Sequence, residues 1–286
     1  MANIVEIDEP HLARDGAEVL ENGDLLLLST LPFVVAADEA DLLDPAIFSG
    51  GSKNVSYNPA DGSLRGVALE GEALVMCRNM VARYADFAEG LAKRIAPSYA
   101  RALQRRRTSF RPGEVAQRVL SPRKDDRLLH VDAFPANPTQ GRRILRIFSN
   151  VNPAGRARHW RLGGQSFSEF AHQFAPRLKK GPNPIEAAAL QALTITKGRR
   201  TPYDHAMLQL HDLGKADAQH QTMTPQQDAM LPALSTWAVY TDCVQHAAMA
   251  GQHLFEQTFL LPPNAMQNPE KSPLRILEGM MGRKLA

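Results

Sequence analysis

The sequence predicts an α+β protein, in which an antiparallel β-sandwich or barrel has helices packed outside it. Five segments are rich in β-branched, aromatic and aliphatic residues and are bounded by Pro, Gly or Asn, as strands are. Helical patterns occur before, between and after these segments. Because the two kinds of segment do not alternate strictly, a parallel sheet with crossover helices is not favoured.

The N-terminal elements come first in this scheme. Residues 1–65 mix short apolar runs with turn-forming stretches, which predicts strands and loops. Over Glu72–Ile95, apolar residues recur at three- and four-residue spacing, which predicts an amphipathic helix that ends or kinks at Pro97. A second helix is predicted over Ser98–Arg107.

The later elements have clear composition or clear starts. The predicted strands are Arg127–Phe134, Arg142–Asn150, Arg156–Leu162, Trp237–His246 and Leu254–Leu261. Three helices are each preceded by a Ser or Thr suited to cap their first turn: Phe167–Phe174, Tyr203–Leu213 and Leu274–Met281.

Composition excludes several classes of protein. A charged content of 22% with ordinary numbers of Gly and Pro argues against disordered, collagen-like and coiled-coil chains. No apolar stretch is long enough to span a bilayer, and the acidic N-terminus does not resemble a signal peptide. The two cysteines, Cys77 and Cys243, form no disulfide framework. We therefore expect a soluble, cytoplasmic protein with inert cysteines.

Charge is unevenly distributed along the chain. Residues 1–100 carry 7 basic and 16 acidic side chains, a balance of −9, whereas residues 101–127 carry 9 and 3, a balance of +6. The basic residues of this segment are Arg101, Arg105, Arg106, Arg107, Arg111, Arg118, Arg123, Lys124 and Arg127. They indicate either a solvated face or contact with an anionic partner such as lipid or an acidic sugar. Nucleic acid is not predicted, since aromatic residues are not interleaved with the basic ones.

A candidate metal site lies in the apolar run Leu128–Phe134. In a strand, His130 and Asp132 point to the same face about 6–7 Å apart, and a third His from elsewhere would complete the facial triad that holds non-haem Fe(II). Such an H-x-D tripeptide alone is a weak signal, because a structural His near an Asp is more common. The candidates for the third ligand are His246, which ends a predicted strand, and its main rival His253; His159, His172, His205, His211 and His220 are also available.

Open iron positions suit 2-oxoglutarate, whose far carboxylate needs a guanidinium. Arg146 is a charge in the apolar strand Ile144–Phe148, and an inward guanidinium requires an anion because burying it unpaired costs several kcal/mol. Arg158 and Trp160 share one face of another strand. The alternative for each arginine is a structural ion pair or an outward side chain. His211, on an apolar helix face, is by residue type more often a hydrogen-bonded core residue than a catalytic one.

Several stretches taken together resemble the Kdo hydroxylase family, over roughly Arg111 to the C-terminus. They are His130–Pro135, Pro138–Phe148, Asn150–Pro153, Arg158–Arg161, Met207–Asp212, Trp237–His246 with Gln257–Phe259, Ser272–Arg275 and Gly282–Arg283. The resemblance implies a jelly-roll (double-stranded β-helix) dioxygenase that depends on Fe(II) and 2-oxoglutarate. Its reaction would hydroxylate carbon 3 of 3-deoxy-D-manno-oct-2-ulosonic acid (Kdo) on lipid A, giving D-glycero-D-talo-oct-2-ulosonic acid.

The same resemblance implies the site residues. The iron ligands would be His130, Asp132 and His246, and the 2-oxoglutarate pocket would be formed by Arg111, Arg146, Arg158 and Trp160. His211 would stand near the open iron position and assist oxygen chemistry.

Organisation and partners follow from the resemblance and the charge pattern. We expect a single domain over residues 1–286. Its parts would be an acidic N-terminal extension (1–100), a basic segment (101–127), a jelly-roll core (128–262) and a C-terminal helix (263–286). A Kdo-bearing lipid A precursor would be the substrate, reached from the cytoplasmic face of the inner membrane through peripheral attachment. Two alternatives remain open: an oxygenase for another acidic sugar or lipid, and a non-catalytic module that binds lipopolysaccharide precursors.

Overall fold

The computed structural model describes residues 2–49, 52, 54–116, 121, 123, 125–181 and 184–286. The strands are β1 Ile4–Glu6, β2 Leu25–Leu28, β3 Val55–Tyr57, β4 Leu64–Arg65, β5 Gln104–Arg111, β6 Arg143–Asn150, β7 Arg158–Gly163, β8 Gln226–Leu231, β9 Ser235–Tyr240, β10 His246–Ala250 and β11 Leu254–Leu261. The α-helices are α1 Leu12–Glu21, α2 Gly71–Ile95, α3 Phe167–Phe174, α4 Pro184–Ala192, α5 Pro202–Ala216, α6 Ala218–Met223 and α7 Pro273–Met281.

Two sheets form the centre of the fold. The large sheet has eight strands in the order β1-β2-β9-β6-β11-β5-β3-β4, and the small sheet has the order β10-β7-β8. Among the described strands, every pairing is antiparallel except that of β1 with β2. A single antiparallel bridge between His130 and His246 adds one more position to the edge of the small sheet.

The two sheets face each other across an aromatic layer. Phe148 and Trp237, from the large sheet, are stacked with ring centroids 5.4 Å apart. Trp160, from the small sheet, meets both of them edge-on at 4.9 and 5.6 Å. Because these rings are buried and belong to opposite sheets, the structure is a β-sandwich with its core between the sheets.

The opposite face of the large sheet is covered by α1 and α2. Tyr84 of α2 packs its ring 4.7 Å from that of Phe255 in β11 and donates a 2.8 Å hydrogen bond from its hydroxyl to the Ile147 carbonyl. The helix predicted over Glu72–Ile95 is confirmed and begins one residue earlier, at Gly71.

A third cluster joins α3, α5 and α7 to the segment that carries the H-x-D tripeptide. Val131 is fully buried among Phe170, Leu210 and Leu277, one from each helix. Because Val131 points into this cluster, the side chains of its two neighbours, His130 and Asp132, point away from the cluster. The predicted Ser and Thr caps are present, with Ser166 and Thr201 accepting hydrogen bonds from the backbone N–H three residues on.

One predicted helix is wrong. Over Ser98–Arg107 the chain instead makes a 3-10 turn at Pro97–Tyr99 and enters β5, which pairs with both β11 and β3. Three consecutive residues of β5 are buried, Thr108, Ser109 and Phe110, and the arginines before them show no apolar alternation that would indicate a strand. The large sheet therefore includes strands from the region assigned to the acidic extension and the basic segment.

Two predicted strands are also interrupted. Trp237–His246 divides into β9 and β10, because the chain turns at Thr241–Val244 to pass from the large sheet to the small one. The Asp242 carboxylate stabilises this turn by accepting hydrogen bonds from Arg143 Nε and the Ile144 N–H at 2.8 and 3.2 Å. Arg127–Phe134 contributes only the bridge at His130.

In the described part of the chain, the longest and most apolar helices still fall short of what crossing a membrane requires.

Candidate active site

The bridge between His130 and His246 brings two distant histidines side by side. The N–H of each donates to the carbonyl of the other, at 3.1 and 2.9 Å. Residues paired in this way project their side chains to the same face of a sheet, and here the two imidazole centroids lie 4.6 Å apart. The Asp132 N–H donates to the Thr241 carbonyl at 2.7 Å, which attaches the segment to the turn between β9 and β10.

Both imidazoles are oriented by the backbone in the same way. His130 Nδ1 lies 2.7 Å from the Leu128 carbonyl, and His246 Nδ1 lies 2.9 Å from the Val244 carbonyl. Since a carbonyl oxygen only accepts, the proton of each neutral ring is on Nδ1 and the lone pair is on Nε2. This is the tautomer that a metal ligand needs, held by the kind of outer contact that metal-binding histidines have.

Burial and a neighbouring charge together set the protonation states of the three side chains. It lowers the pKa of His130 and of His246 below the usual histidine value, so both rings are neutral at pH 7. For Asp132, burial alone would raise the pKa, but nearby positive charge, chiefly the Arg146 guanidinium, outweighs it, and the net pKa is below its usual range. Two neutral imidazoles and one carboxylate are a donor set suited to Fe(II).

Ligand atoms of His130, Asp132 and His246 all lie within 4.8 Å of one another. In the described residues, this is the group of histidines, cysteines and carboxylates with the geometry to hold a metal ion. The rival His253 is not part of it, because its ring lies in the loop after β10 with Nδ1 3.2 Å from Asn152 Nδ2.

A cavity of about 130 Å³ opens beside this group. It is lined by all seven of the residues predicted to bind metal or 2-oxoglutarate: His130, Asp132, His246, Arg111, Arg146, Arg158 and Trp160. Residues from β5, β6, β7, β10 and β11 meet there, so the cavity lies between the two sheets.

Carboxylates of the protein itself already accompany two of the arginines. Arg146 Nη1 lies 3.2 Å from Asp132 Oδ2 and 3.3 Å from Glu256 Oε1, and Arg111 Nη2 lies 2.6 Å from Glu256 Oε2. Part of the negative charge that the inward Arg146 requires is thus supplied by the protein itself. This agrees with the alternative interpretation of Arg146, a structural ion pair.

The third arginine is positioned through a glycine. Arg158 Nη1 donates to the Gly251 carbonyl at 2.7 Å, and the arginine stem packs against the glycine Cα. A Cβ at position 251 would lie 2.8 Å from Arg158 Cδ, and the φ of +114° also favours glycine. Trp160 stacks on His246 at 5.3 Å, and its buried Nε1 donor has no hydrogen-bond acceptor among the described residues.

The cavity fits the two groups that the resemblance implies. Its lining has three guanidiniums and three carboxylates, of Asp126, Asp132 and Glu256, besides the neutral imidazoles. The formal charges cancel, and Fe(II) with a 2-oxoglutarate dianion would add charges that cancel as well. Such a balance lowers the cost of placing ionic groups in a site largely shielded from water.

His211 lies next to the metal group without lining the cavity. Its ring on α5 meets that of His130 edge-on, with centroids 5.4 Å apart. His211 Nδ1 lies 3.0 Å from Asp212 Oδ1, and Asp212 also pairs with Arg123.

Glu256 is the site residue that the sequence analysis missed. It is buried in β11, where it lies between two arginines of neighbouring strands. Its signal is the one used for Arg146, a single charge in an apolar strand, here Leu254–Leu261.

The cysteines take no part in this site. Burial raises the pKa of the Cys77 thiol to about 11, in the core between α2 and the large sheet. Burial also raises the pKa of Cys243 to about 12, although Arg143 opposes this shift. Both are therefore thiols at neutral pH, as expected for packing residues.

Comparison with known proteins agrees with this geometry. Residues 5–284 match the family described as 3-deoxy-D-manno-oct-2-ulosonic acid (Kdo) hydroxylase. No curated protein sequence matches the chain.

Crystal structures of the Kdo hydroxylase KdoO, a non-haem Fe(II) α-ketoglutarate-dependent dioxygenase, are similar over nearly the whole chain. The complex with cobalt(II) has 43% identity and a TM-score of 0.94, over 99% of this chain and 97% of the other. The complex with α-ketoglutarate and Fe(III) has 42% identity and a TM-score of 0.93 over the same shares. The predicted jelly-roll fold is confirmed. On the family match and this similarity, the chain belongs to the Kdo hydroxylase family.

Proposed function

We propose that this protein is an Fe(II)- and 2-oxoglutarate-dependent dioxygenase that hydroxylates Kdo, at carbon 3 of a Kdo residue attached to lipid A. The observation that carries the proposal is the buried group of His130, Asp132 and His246 beside a cavity lined by three arginines, in a chain of this family. The product on lipid A would be D-glycero-D-talo-oct-2-ulosonic acid.

In this proposal the iron would be held by His130 Nε2, His246 Nε2 and an Asp132 carboxylate oxygen. The backbone carbonyls that accept from both Nδ1 atoms keep the two Nε2 lone pairs directed toward one point before metal arrives. Arg146 keeps Asp132 ionised, because its guanidinium is 3.2 Å from that carboxylate.

Arg111, Arg146, Arg158 and Trp160 would bind 2-oxoglutarate. The guanidiniums suit its carboxylates, and the Trp160 Nε1 donor would gain an acceptor. Fe(II) with 2-oxoglutarate and O₂ supplies the oxidising power that a C–H bond of the sugar requires. The chain contributes orientation and exclusion of water, since His130, Asp132 and His246 are no more than 9% exposed.

His211 is proposed to assist the oxygen chemistry from its position against His130. Its Nδ1 contact with Asp212 leaves Nε2 as the other polar atom of the ring. In the variant His211→Gln we expect kcat to fall at least tenfold while the KM for 2-oxoglutarate changes less than twofold. A merely structural role would change both constants or neither.

The test of the proposed function is a direct assay of the product. Protein incubated with Fe(II), 2-oxoglutarate, O₂ and Kdo-bearing lipid A should add one oxygen to the acceptor, seen by mass spectrometry, and form succinate. The variant His130→Ala should form neither product, whereas His172→Ala, on the exposed face of α3, should act like the wild type. Succinate without oxygen on Kdo would favour another acidic sugar or lipid, and lipid binding without succinate would favour a non-catalytic module.

Peripheral attachment to the cytoplasmic face of the inner membrane is a separate proposal. It rests on the basic segment 101–127, of which Arg101 and Arg106 are exposed while Arg123 and Arg127 pair with carboxylates. Arg118 and Lys124 lie outside the described residues.

Sedimentation with phosphatidylglycerol vesicles tests this attachment. We expect binding that salt weakens, and a loss of about fivefold in partitioning for Arg101→Ala, since one basic residue near an anionic surface contributes about 1 kcal/mol. Equal binding to neutral phosphatidylcholine vesicles would contradict the electrostatic mechanism.

A further inference from the structure

A second and larger cavity adjoins the candidate active site. Its volume is about 420 Å³, and it shares Arg111, Arg146 and Glu256 with the 130 Å³ cavity beside the metal group. Side chains of β3, β5, β6 and β11 line it, together with the loop after Asp132 and the segment around Lys197. We refer to it as the large-sheet cavity.

The charge of the large-sheet cavity is strongly positive. Glu256 is its one carboxylate, against six basic side chains: Arg105, Arg106, Arg107, Arg111, Arg146 and Lys197. Glu256 accompanies two of these arginines, and Arg105 pairs with Asp86 and Glu89 outside the cavity, at 2.6 and 3.2 Å.

Three basic side chains of this cavity have no carboxylate partner in the described residues. Arg106, Arg107 and Lys197 have no carboxylate within 4.0 Å among the residues that the structure describes. Arg107 is partly buried and donates from Nη1 to the Ser56 hydroxyl at 3.2 Å, so its guanidinium is held at the cavity wall. Unpaired cations that converge on one cavity favour a ligand with anionic groups.

The rest of the lining suits a sugar. Neutral amide and hydroxyl groups supply both donors and acceptors: Asn54, Ser56, Asn58, Asn137 and Thr258. The volume is about three times that of the cavity assigned to the five-carbon 2-oxoglutarate, and it falls within the range of pockets that bind small molecules.

The backbone connects this cavity to the metal group. Phe134 and Asn137 of its lining follow Asp132 by two and five residues. The Lys197 N–H donates to the Ala136 carbonyl at 2.9 Å, which places Lys197 against the same loop. A ligand in the large-sheet cavity therefore lies beside Arg146, the residue that pairs with Asp132.

We infer that the large-sheet cavity binds the acceptor, and that Arg107 and Lys197 recognise an anionic group of it, a sugar carboxylate or a phosphate. The inference rests on the proposed function, because it takes the acceptor to be an acidic sugar on a phosphorylated lipid. Arg107 and Lys197 then determine acceptor affinity without binding 2-oxoglutarate.

The test measures KM for detergent-solubilised Kdo-bearing lipid A in Arg107→Ala, Lys197→Ala and the double variant. Loss of one charge-assisted contact should raise the acceptor KM about tenfold, and the double variant about a hundredfold. The KM for 2-oxoglutarate should stay within twofold of wild type. The variant Arg107→Lys should recover part of the affinity, which a mere packing role for Arg107 would not predict.

The matched control is Arg78→Ala, which removes an exposed arginine of α2 outside this cavity and should leave the acceptor KM unchanged. An acceptor KM for Arg107→Ala and Lys197→Ala equal to that of Arg78→Ala, in protein that hydroxylates the acceptor, would overturn the inference. Failure of the wild type to add oxygen would instead overturn the proposed function. A parallel series with dephosphorylated lipid A identifies the anion: the penalty persists for a sugar carboxylate and disappears for a phosphate, and both results support the site.

Discussion

At the scale of single residues, Glu256 decides the electrostatics of the site. Its two oxygens lie 3.3 Å from Arg146 and 2.6 Å from Arg111, and the side chain is only 5% exposed. Without this carboxylate, Arg146 would keep only Asp132 at 3.2 Å, and Arg111 would keep only the more distant Asp126 at 3.9 Å. Glu256 therefore allows the site to hold several arginines before any anionic ligand binds.

The variant Glu256→Gln should be strongly destabilised for this reason. We expect the free energy of unfolding to fall by about 3 kcal/mol or more, measured by urea denaturation, because removing this partner leaves three guanidiniums beside two carboxylates in a largely buried site. Glu89→Gln, which breaks more exposed pairs with Lys93 and Arg105, should cost less than about 1 kcal/mol. Equal costs for the two variants would refute a buried electrostatic role for Glu256.

At the scale of elements, two helix caps of the same type differ in how many hydrogen bonds they make to the rest of the fold. Glu169 of α3 and Asp204 of α5 each accept from the N–H and hydroxyl of the Ser or Thr that caps the helix. Asp204 also accepts from the N–H groups of Thr139 and Gln140, at 2.8 and 3.0 Å. It thereby fastens the turn before β6 to α5.

We expect Asp204→Ala to cost about 2–4 kcal/mol of stability, and Glu169→Ala about 1 kcal/mol, because the former also removes the acceptor of two backbone donors, one of them on the buried Thr139. Chemical denaturation of the two variants under identical conditions checks the difference. Similar costs would show that the bonds to the turn contribute nothing beyond the cap.

The contact of α6 with α3 predicts that the stability of the protein depends on pH. His220 of α6 is 1% exposed, packed against Phe170 and Phe174 of α3, with Nδ1 2.9 Å from the Thr224 hydroxyl. Burial lowers its pKa below the usual histidine value, although Gln245 opposes this shift. Below about pH 6.5, His220 binds a proton in the unfolded chain but not in the folded protein. The free energy of unfolding therefore decreases as the pH falls.

The variant His220→Gln should therefore lose less stability than wild type between pH 7 and pH 5, by about 1 kcal/mol. Thermal melting at a series of pH values measures this, with His172→Gln on the exposed face of α3 as the control. An unchanged pH dependence in His220→Gln would contradict the assignment.

At the scale of the whole molecule, the metal group couples the two sheets to the helices. His246 begins β10, His130 bridges to it, and the segment around Val131 packs on α3, α5 and α7. A metal ion bound there can bind only the folded chain, because 113 residues separate Asp132 from His246 in the sequence. Binding should then stabilise the fold by mass action.

Cobalt(II) at about 100 times its Kd should stabilise the protein by about 2.7 kcal/mol and raise the Tm by about 5–10 °C, with EDTA reversing the shift. The variant Asp132→Asn should lose this shift. His253→Gln should keep it, since His253 lies outside the group. Loss of the shift in His253→Gln, with the shift retained in Asp132→Asn, would assign the metal elsewhere.

Much of the local structure was predictable from the sequence. The helix at Gly71–Ile95, the capped helices α3, α5 and α7, and the strand Leu254–Leu261 agree with the patterns of their own residues. Periodicity and capping act over a few residues, so a single segment contains the information. The H-x-D tripeptide and the inward Arg146 were identifiable for the same reason, as polar groups in apolar runs.

The tertiary structure alone decided how these segments meet. It showed that β5 is a strand although its arginines show no apolar alternation, and that β9 and β10 belong to different sheets. It also showed that His246, which the resemblance implied, lies beside the H-x-D segment whereas His253 does not, and it placed Glu256 between Arg111 and Arg146. These outcomes depend on backbone pairing and burial between residues far apart in the chain, whose free energies no single segment contains.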